Sequence, residues 1–457
     1  MSRALGVGLV GLLASLVACG ASSSTSEPDA APKDASPTRD VAEVGPADVC
    51  CDSASKDANG ETDASPVADA DSGADAGACI SAPTGVPAFT KRTLDKEYRA
   101  EGVGAFDVNT DGHVDIVTDQ YWYEGPDLTP HEIRTPVTFV PTANYADCFG
   151  VFPRDLDGDG FTDIIVAPHV TDAMYWYRNP AGARDTHWTQ HLITPAGVAG
   201  LETPYVVDLF HDGGPPVLLS TDSSAHLIGW YEPQSDPTLP WVMHPISVSG
   251  SSFVGYLPFT HGIGVGDVDR DGLLDVLTGT GWFQQTSDRT KWNWKPVVFG
   301  PDPGASCSRM YAFDFDGDGQ NDILCARPHD YGLFWFQQVK PTAGADPTFT
   351  RQLIDDTLSE MHALRFDDLD ADGIPEIITG KRYLAHADGS DPGGHDPALL
   401  VYYSVHDVGT PAVSFERHLV DDDSGIGGTF SIADVDGDCK QDLVTANKKG
   451  LYFFPQK

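Results

Sequence analysis

The sequence predicts an all-β fold assembled from seven copies of one small antiparallel sheet, behind a long unstructured leader. Three observations predict it. An acidic nonapeptide typified by "DLDGDGFTD" recurs along the chain, short β-branched runs flank its copies, and a second, aromatic motif alternates with it.

The leader comes first. "MSRALGVGLVGLLASLVACG" joins Arg3 to an apolar run from Leu5 to Val17, too short for a permanent membrane span, and residues 1–18 read as a secretory signal peptide. Leu16, Val17, Ala18 and Cys19 resemble the lipobox of bacterial lipoproteins, which implies lipidation of Cys19 and attachment to a membrane through that lipid. Gly20 after the cysteine points, by analogy, to the outer membrane or cell surface. Residues 19–85 are mostly Ala, Asp, Ser and Pro, cannot bury enough surface to offset ordering, and are expected to be a disordered tether. Residues 86–457 hold nearly all the aromatics and form the folded domain. The net charge of −40 excludes nucleic acid as a natural partner.

The acidic loop starts at Asp107, Asp155, Asp208, Asp267, Asp314, Asp368 and Asp434. These starts number repeats one to seven. Oxygen side chains at positions 1, 3, 5 and 9, with glycine for a sharp turn at position 6, make a cage for a hard cation, and calcium accepts such irregular oxygen sets. The expected ligands are Asp107, Asn109, Asp111 and Asp115 in repeat one, and Asp155, Asp157, Asp159 and Asp163 in repeat two. Repeats four and five offer Asp267, Asp269, Asp271, Asp275 and Asp314, Asp316, Asp318, Asp322. Repeats six and seven offer Asp368, Asp370, Asp372, Glu376 and Asp434, Asp436, Asp438, Asp442. The loop at 208 loses positions 3 and 9 to Phe210 and Pro216, so about five to six calcium sites are expected. In the loop at 434, Cys439 replaces the glycine and must accept a left-handed backbone. An EF-hand is excluded, because its position 12 needs Glu and the residues here include Val166, Thr278 and Cys325.

Runs such as "DIIVA", "DVLTG" and "EIITG" follow the loops, so each loop is a β-hairpin tip. With "GVGAFDVN" and "CFGVFPRDLD" before them, these segments resemble the FG-GAP or VCBS repeats of integrin-α-type propellers. The resemblance implies a seven-bladed β-propeller with four-stranded blades, strand A ending at the loop and strand B leaving it. Strand C is read in "YWYEG", "MYWYR" and "LFWFQ". Strand D is read in "FTKRTL" at 89, "LTPHEI" at 128, "WTQHLI" at 188, "WVMHPI" at 241, "WKPVVF" at 294, "FTRQLI" at 349 and "FERHLV" at 415. The first copy precedes the first loop and none follows the last, so residues 89–94 should complete the last blade and hide its edge.

Seven cysteines besides Cys19 stand at spacings foreign to zinc sites: Cys50, Cys51, Cys79, Cys148, Cys307, Cys325 and Cys439. In an exported chain, disulfides are expected with at least one thiol left over. If strand D starts on the calcium-loop face, Cys79 approaches Cys439 and a Cys79–Cys439 bond locks the seam.

The start of strand A and the end of strand B lie opposite the loops, at the mouth of the central channel. Six residues before the loops stand Glu101, Glu202, His261 and His362, and beyond strand B come His169, Arg327, His329 and Arg382. Such a face can bind an anionic or hydroxylated ligand, hold a metal or supply acid and base. No residue is assigned a catalytic role. The expected function is a monomeric, calcium-stabilised module binding a glycan or protein at the cell surface. The alternative is a carbohydrate-active lyase or dehydratase using the Glu and His residues at the mouth, since "W..H.I" ahead of a histidine-bearing strand A is similar to that group.

Overall fold

The computed structural model describes residues 85–457 except positions 171, 199, 203, 212–215, 249–260, 298, 300–306, 341 and 343–344. The signal, Cys19 and Cys79 lie outside the described residues, as does the tether apart from Gly85. The chain divides into Met1–Thr62 and Asp63–Lys457, and all the described strands belong to the second unit. Every regular element among the described residues is a β-strand, and no helix there is long and apolar enough to cross a membrane.

The β-branched runs after the acidic loops are strands buried on both faces. In strand B of repeat two, Asp163–Ala167, every residue is buried. Ile164 and Val166 enter a core shared with repeat one, whereas Ile165 and Ala167 enter a core shared with repeat three. Strand B of repeat seven repeats the division: Val444 packs with repeat one and Leu443 with repeat six. Each sheet is thus a wall between two cores, which is why these strands read as continuous apolar runs and do not alternate. Strand A of repeat one, Gly104–Phe106, lies beside both Gly150–Arg154 of repeat two and Phe430–Ala433 of repeat seven, so the series closes on itself. This is a β-propeller arrangement.

Among the described residues five of the sheets have four strands, four of them in meander order. The expectation of seven separate sheets fails at repeats four and five, which form one eight-stranded sheet through a parallel pairing of Gly264 with Met310 and Val265 with Tyr311. The cause is local. A Cβ on Gly264 would stand 2.5 Å from the Met310 Cβ, and one on Gly266 the same distance from the Ala312 Cβ. Glycine therefore lets two innermost strands approach to hydrogen-bonding distance.

The last sheet takes its fourth strand from the start of the domain. Arg92–Asp95 pairs antiparallel with Gly450–Phe454, and Phe89 bridges Gln456. The D motif acquires a packing explanation. Its fourth residue faces the aromatic of strand C across the sheet: His131 over Trp122, His191 over Trp176, His244 over Trp230 at 3.9 Å, and His418 over Tyr402. In the last sheet Arg92 stands over Phe453. The reading of "WKPVVF" at 294 is two residues out of frame. Lys295 pairs with Trp282, so the strand is Trp292–Pro296 and its motif begins at Trp292. Trp292 and Trp294 both satisfy the aromatic position, and only pairing chooses between them.

Candidate functional site

At the loop end, position 1 organises each turn. Asp155 Oδ1 accepts from the amides of Gly158 and Asp159 and Oδ2 from that of Gly160, and Asp159 then accepts from Phe161. The other full loops repeat the pattern, and it draws carboxylates together: Asp155, Asp157 and Asp163, or Asp267, Asp269 and Asp271, or Asp314, Asp316 and Asp318, each set with oxygens within 4.8 Å of one another. Crowded oxygens on a hairpin tip suit a hard divalent cation. In repeat one, Asn109 Oδ1 accepts from the Asp111 amide while its Nδ2 donates to Asp111 and Glu124. Residues 212–215 of the loop at 208 lie outside the described residues.

Position 9 has a second duty that the sequence reading missed. Asp275 accepts from the amides of Val268 and Gln285, both at 2.9 Å, tying the loop to the end of strand C. Asp115, Asp163, Asp322 and Asp442 make the same two bonds. Burial raises these carboxyls against the pull of the amides, Asp163 to about 7, Asp322 to about 8 and Asp275 to about 9. The side chain at the end of strand C reaches into the neighbouring sheet. Gln338 Nε2 donates to Asn321 O in its own loop and to Val268 O in the previous one, at 2.6 and 3.0 Å. Asn179, Gln285 and Gln456 do likewise. The recurring amide in "YRNP", "FQQT", "FQQV" and "FPQK" is the signal that could have revealed these clasps.

Cys439 takes φ 70° and is disulfide-bonded, while its expected partner Cys79 lies outside the described residues. Cys307 and Cys325 form a disulfide, and Cys148 is a buried free thiol.

At the opposite end, strand starts from several repeats bring the candidate residues together. Arg382, almost fully buried, donates from Nε to Glu101 Oε2 at 2.6 Å and from Nη1 to Glu202 Oε2 at 3.3 Å. Tyr98 donates to the other oxygen of Glu101, and the Arg382 guanidinium lies over the Phe149 ring. His261 Nε2 is 3.2 Å from Glu202 Oε2 and 3.0 Å from His329 Nε2, and His362 Nε2 is 3.9 Å from the same Glu202 oxygen. Burial pushes the Glu202 carboxyl up, but His261 and Arg382 hold it well below the usual range. Burial pushes His362 far down and His329 to about 4. His169 stacks on Tyr145, and Arg327 turns aside to Asp330 at 2.9 Å.

Asp391, His386 and Glu360 were not among the sequence candidates. Asp391 accepts from His329 Nδ1 at 3.0 Å, His386 stacks on His329, and Glu360 O accepts from His362 Nδ1 at 3.1 Å. Asp391 and His386 sit in residues 381–399, a connection between strands B and C that spans only 118–120 in repeat one. That insertion was their signal.

A β-propeller with acidic hairpin tips at one end and a cluster of buried ion pairs at the other is the class of protein defined here. It carries FG-GAP-like repeats, matched by that family model over residues 155–219 and 314–379. None of the curated proteins matches the chain. Among solved structures it is similar to YCF48 from Cyanidioschyzon merolae, at 11% identity and TM-score 0.43, over 80% of this chain and 98% of that one. It is similar to the rhamnogalacturonan lyase of Bacillus licheniformis at 13% identity and TM-score 0.38, over 80% and 75% of the two chains. The Tc holotoxin pore of Photorhabdus luminescens is similar at 15% identity and TM-score 0.33 over 75% of this chain, which spans 16% of the toxin chain.

Proposed function

We propose that the protein is an exported interaction module, held to the membrane by a lipid on Cys19 and fastened by calcium in its acidic loops. Counting the eight-stranded sheet as two blades gives a propeller of seven. It presents the face opposite the loops to a glycan. The observation that carries this reading is the fate of the ionisable groups at the mouth: Glu101, Arg382, Glu202 and His261 satisfy one another in buried pairs, a buttress more than a reactive centre. Polar and aromatic groups remain exposed or half-exposed beside it. Arg134, Asp147, Asp172 and Tyr175 line a groove between repeats one and two, with Arg134 bonded to both Asp119 and Asp147. Aromatic surface beside charged hydrogen-bonding groups suits a hydroxylated ligand. The lyase or dehydratase reading loses support, because the motif histidines are stacked on strand C aromatics.

Glycan-array binding of the purified protein, with and without chelator, tests the proposal. Asp147→Asn and Asp172→Asn, both on exposed groove residues, should abolish binding with an unchanged melting temperature. Asp157→Asn and Asp318→Asn should instead lower the melting temperature in calcium and shrink its fall on chelation. Binding retained in the groove variants overturns the glycan site, and melting indifferent to chelator overturns the calcium loops. Cys19→Ser should end incorporation of labelled fatty acid.

A further inference from the structure

Three imidazoles meet at the strand ends opposite the acidic loops. His261, His329 and His362 come from repeats four, five and six, and their ligand atoms lie within 4.8 Å of one another. The rings are mutually near-perpendicular, at 87°, 74° and 89°. Edge-to-face rings are common in packing; what marks this cluster is that one nitrogen of each ring converges on the same small space.

The outer nitrogens fix which atoms face inward. His329 Nδ1 is engaged by Asp391 and His362 Nδ1 donates to Glu360 O, so Nε2 of each presents its lone pair to the centre. Metal-bound histidines are held in this way by carboxylates or carbonyls. One observation then needs explaining. His362 Nε2, on a side chain with no exposure, has no hydrogen-bond partner, while the Nε2 atoms of His261 and His329 share a hydrogen bond at 3.0 Å beside it. A buried acceptor left unmatched is costly. A cation satisfies it and fits the spacing of the other two, since nitrogens about 2.0–2.1 Å from zinc stand a little over 3 Å apart.

We propose that His261, His329 and His362, with Glu202 Oε2 as the fourth donor, form a structural site for a divalent transition metal of the zinc class. Three imidazoles and one carboxylate make a borderline donor set that suits zinc and disfavours calcium. Glu202 belongs to repeat three, so the metal staples four consecutive repeats at the end remote from the acidic loops. Arg382 Nη1 donates to the same Glu202 oxygen at 3.3 Å and fixes its position, and the 28% exposed side chain of His329 offers the entry path. The site stands whether or not the face binds a glycan.

The test uses the whole purified protein, stripped with chelator and returned to saturating calcium so that the acidic loops stay satisfied. Cobalt chloride is titrated while visible absorption is followed. About one equivalent should bind with the intense bands of tetrahedral, nitrogen-rich cobalt, and zinc chloride should displace it. His362→Ala and His329→Gln should each weaken binding by about 100-fold or more, and Asp391→Asn by about 10–100-fold. If His362→Ala does not fold, the half-exposed His329→Gln carries the test, with its folding checked by circular dichroism in calcium. Absence of the bands, or bands that persist in His329→Gln and Asp391→Asn, overturns the site.

Discussion

Gly158 and Gly317 occupy the fourth position of their loops at φ 74° and 71°, and only their surroundings differ. A Cβ on Gly158 would meet nothing within 4 Å, whereas one on Gly317 would stand 2.1 Å from Gly409 O. Gly158→Ala should therefore cost only the left-handed strain, about 1–2 kcal/mol. Gly317→Ala should cost more, because it also displaces the Gly409 amide from Phe315 O. Urea unfolding of the two variants measures the difference; equal losses would mean that the 314 loop yields freely. The need for glycine at position 6 was legible, and Cys439 shows the strain where glycine is missing. Position 4 was not, since Thr110, Arg270 and Ala371 take the same left-handed conformation and mask the pattern. Glu101, Glu202, His261 and His362 were legible because one offset from the loop Asp is one place on strand A. Asp391 has no such offset, because an insertion outside the repeat carries it.

At the scale of the element, the borrowed strand is the sharpest case. Strand Gly450–Phe454 has Asp442–Asn447 on one side and Arg92–Asp95 on the other, so removing the latter bares a buried apolar edge. A chain beginning at Lys96 should melt several degrees lower and self-associate as concentration rises. Supplying residues 86–95 as a peptide should reverse both effects. Size-exclusion chromatography and thermal melting check this, and a truncated chain that stays monomeric with its melting temperature intact would refute the closure. The strand was legible through a count: the D motif precedes the first acidic loop and is missing after the last. Register was less so. An aromatic at both Trp292 and Trp294 leaves two frames, and the pairing of Lys295 with Trp282 decides. The union of repeats four and five was hidden as well, because a glycine records no partner until the facing strand is placed.

Across the whole molecule, cohesion has to come from contacts between sheets, since a four-stranded sheet buries neither face alone. The apolar cores supply most of it, and the amides at the ends of strand C add a directed component on the loop side. Gln338 joins the loops of repeats four and five, Asn179 those of one and two, Gln285 those of three and four, and Gln456 those of six and seven. Repeats five and six are joined by the backbone amide of Gly409 donating to Phe315 O. These bonds hold the second residue of the neighbouring acidic loop, the carbonyl beside the first proposed calcium ligand, so loop geometry and sheet contact are one structure. Gln338→Leu removes the donor while keeping the volume close, and leaves Val268 O and Asn321 O unmatched in a buried place. The expected loss is about 1–3 kcal/mol. Because the ring of sheets unfolds as a unit when its neighbours are coupled, the denaturant midpoint should fall with the slope unchanged. If the clasp also shapes the loop at 267, calcium affinity measured with the other full loops disabled should fall too. A variant with wild-type midpoint and wild-type affinity would show that the amide merely fills space and that the cores alone hold the propeller closed.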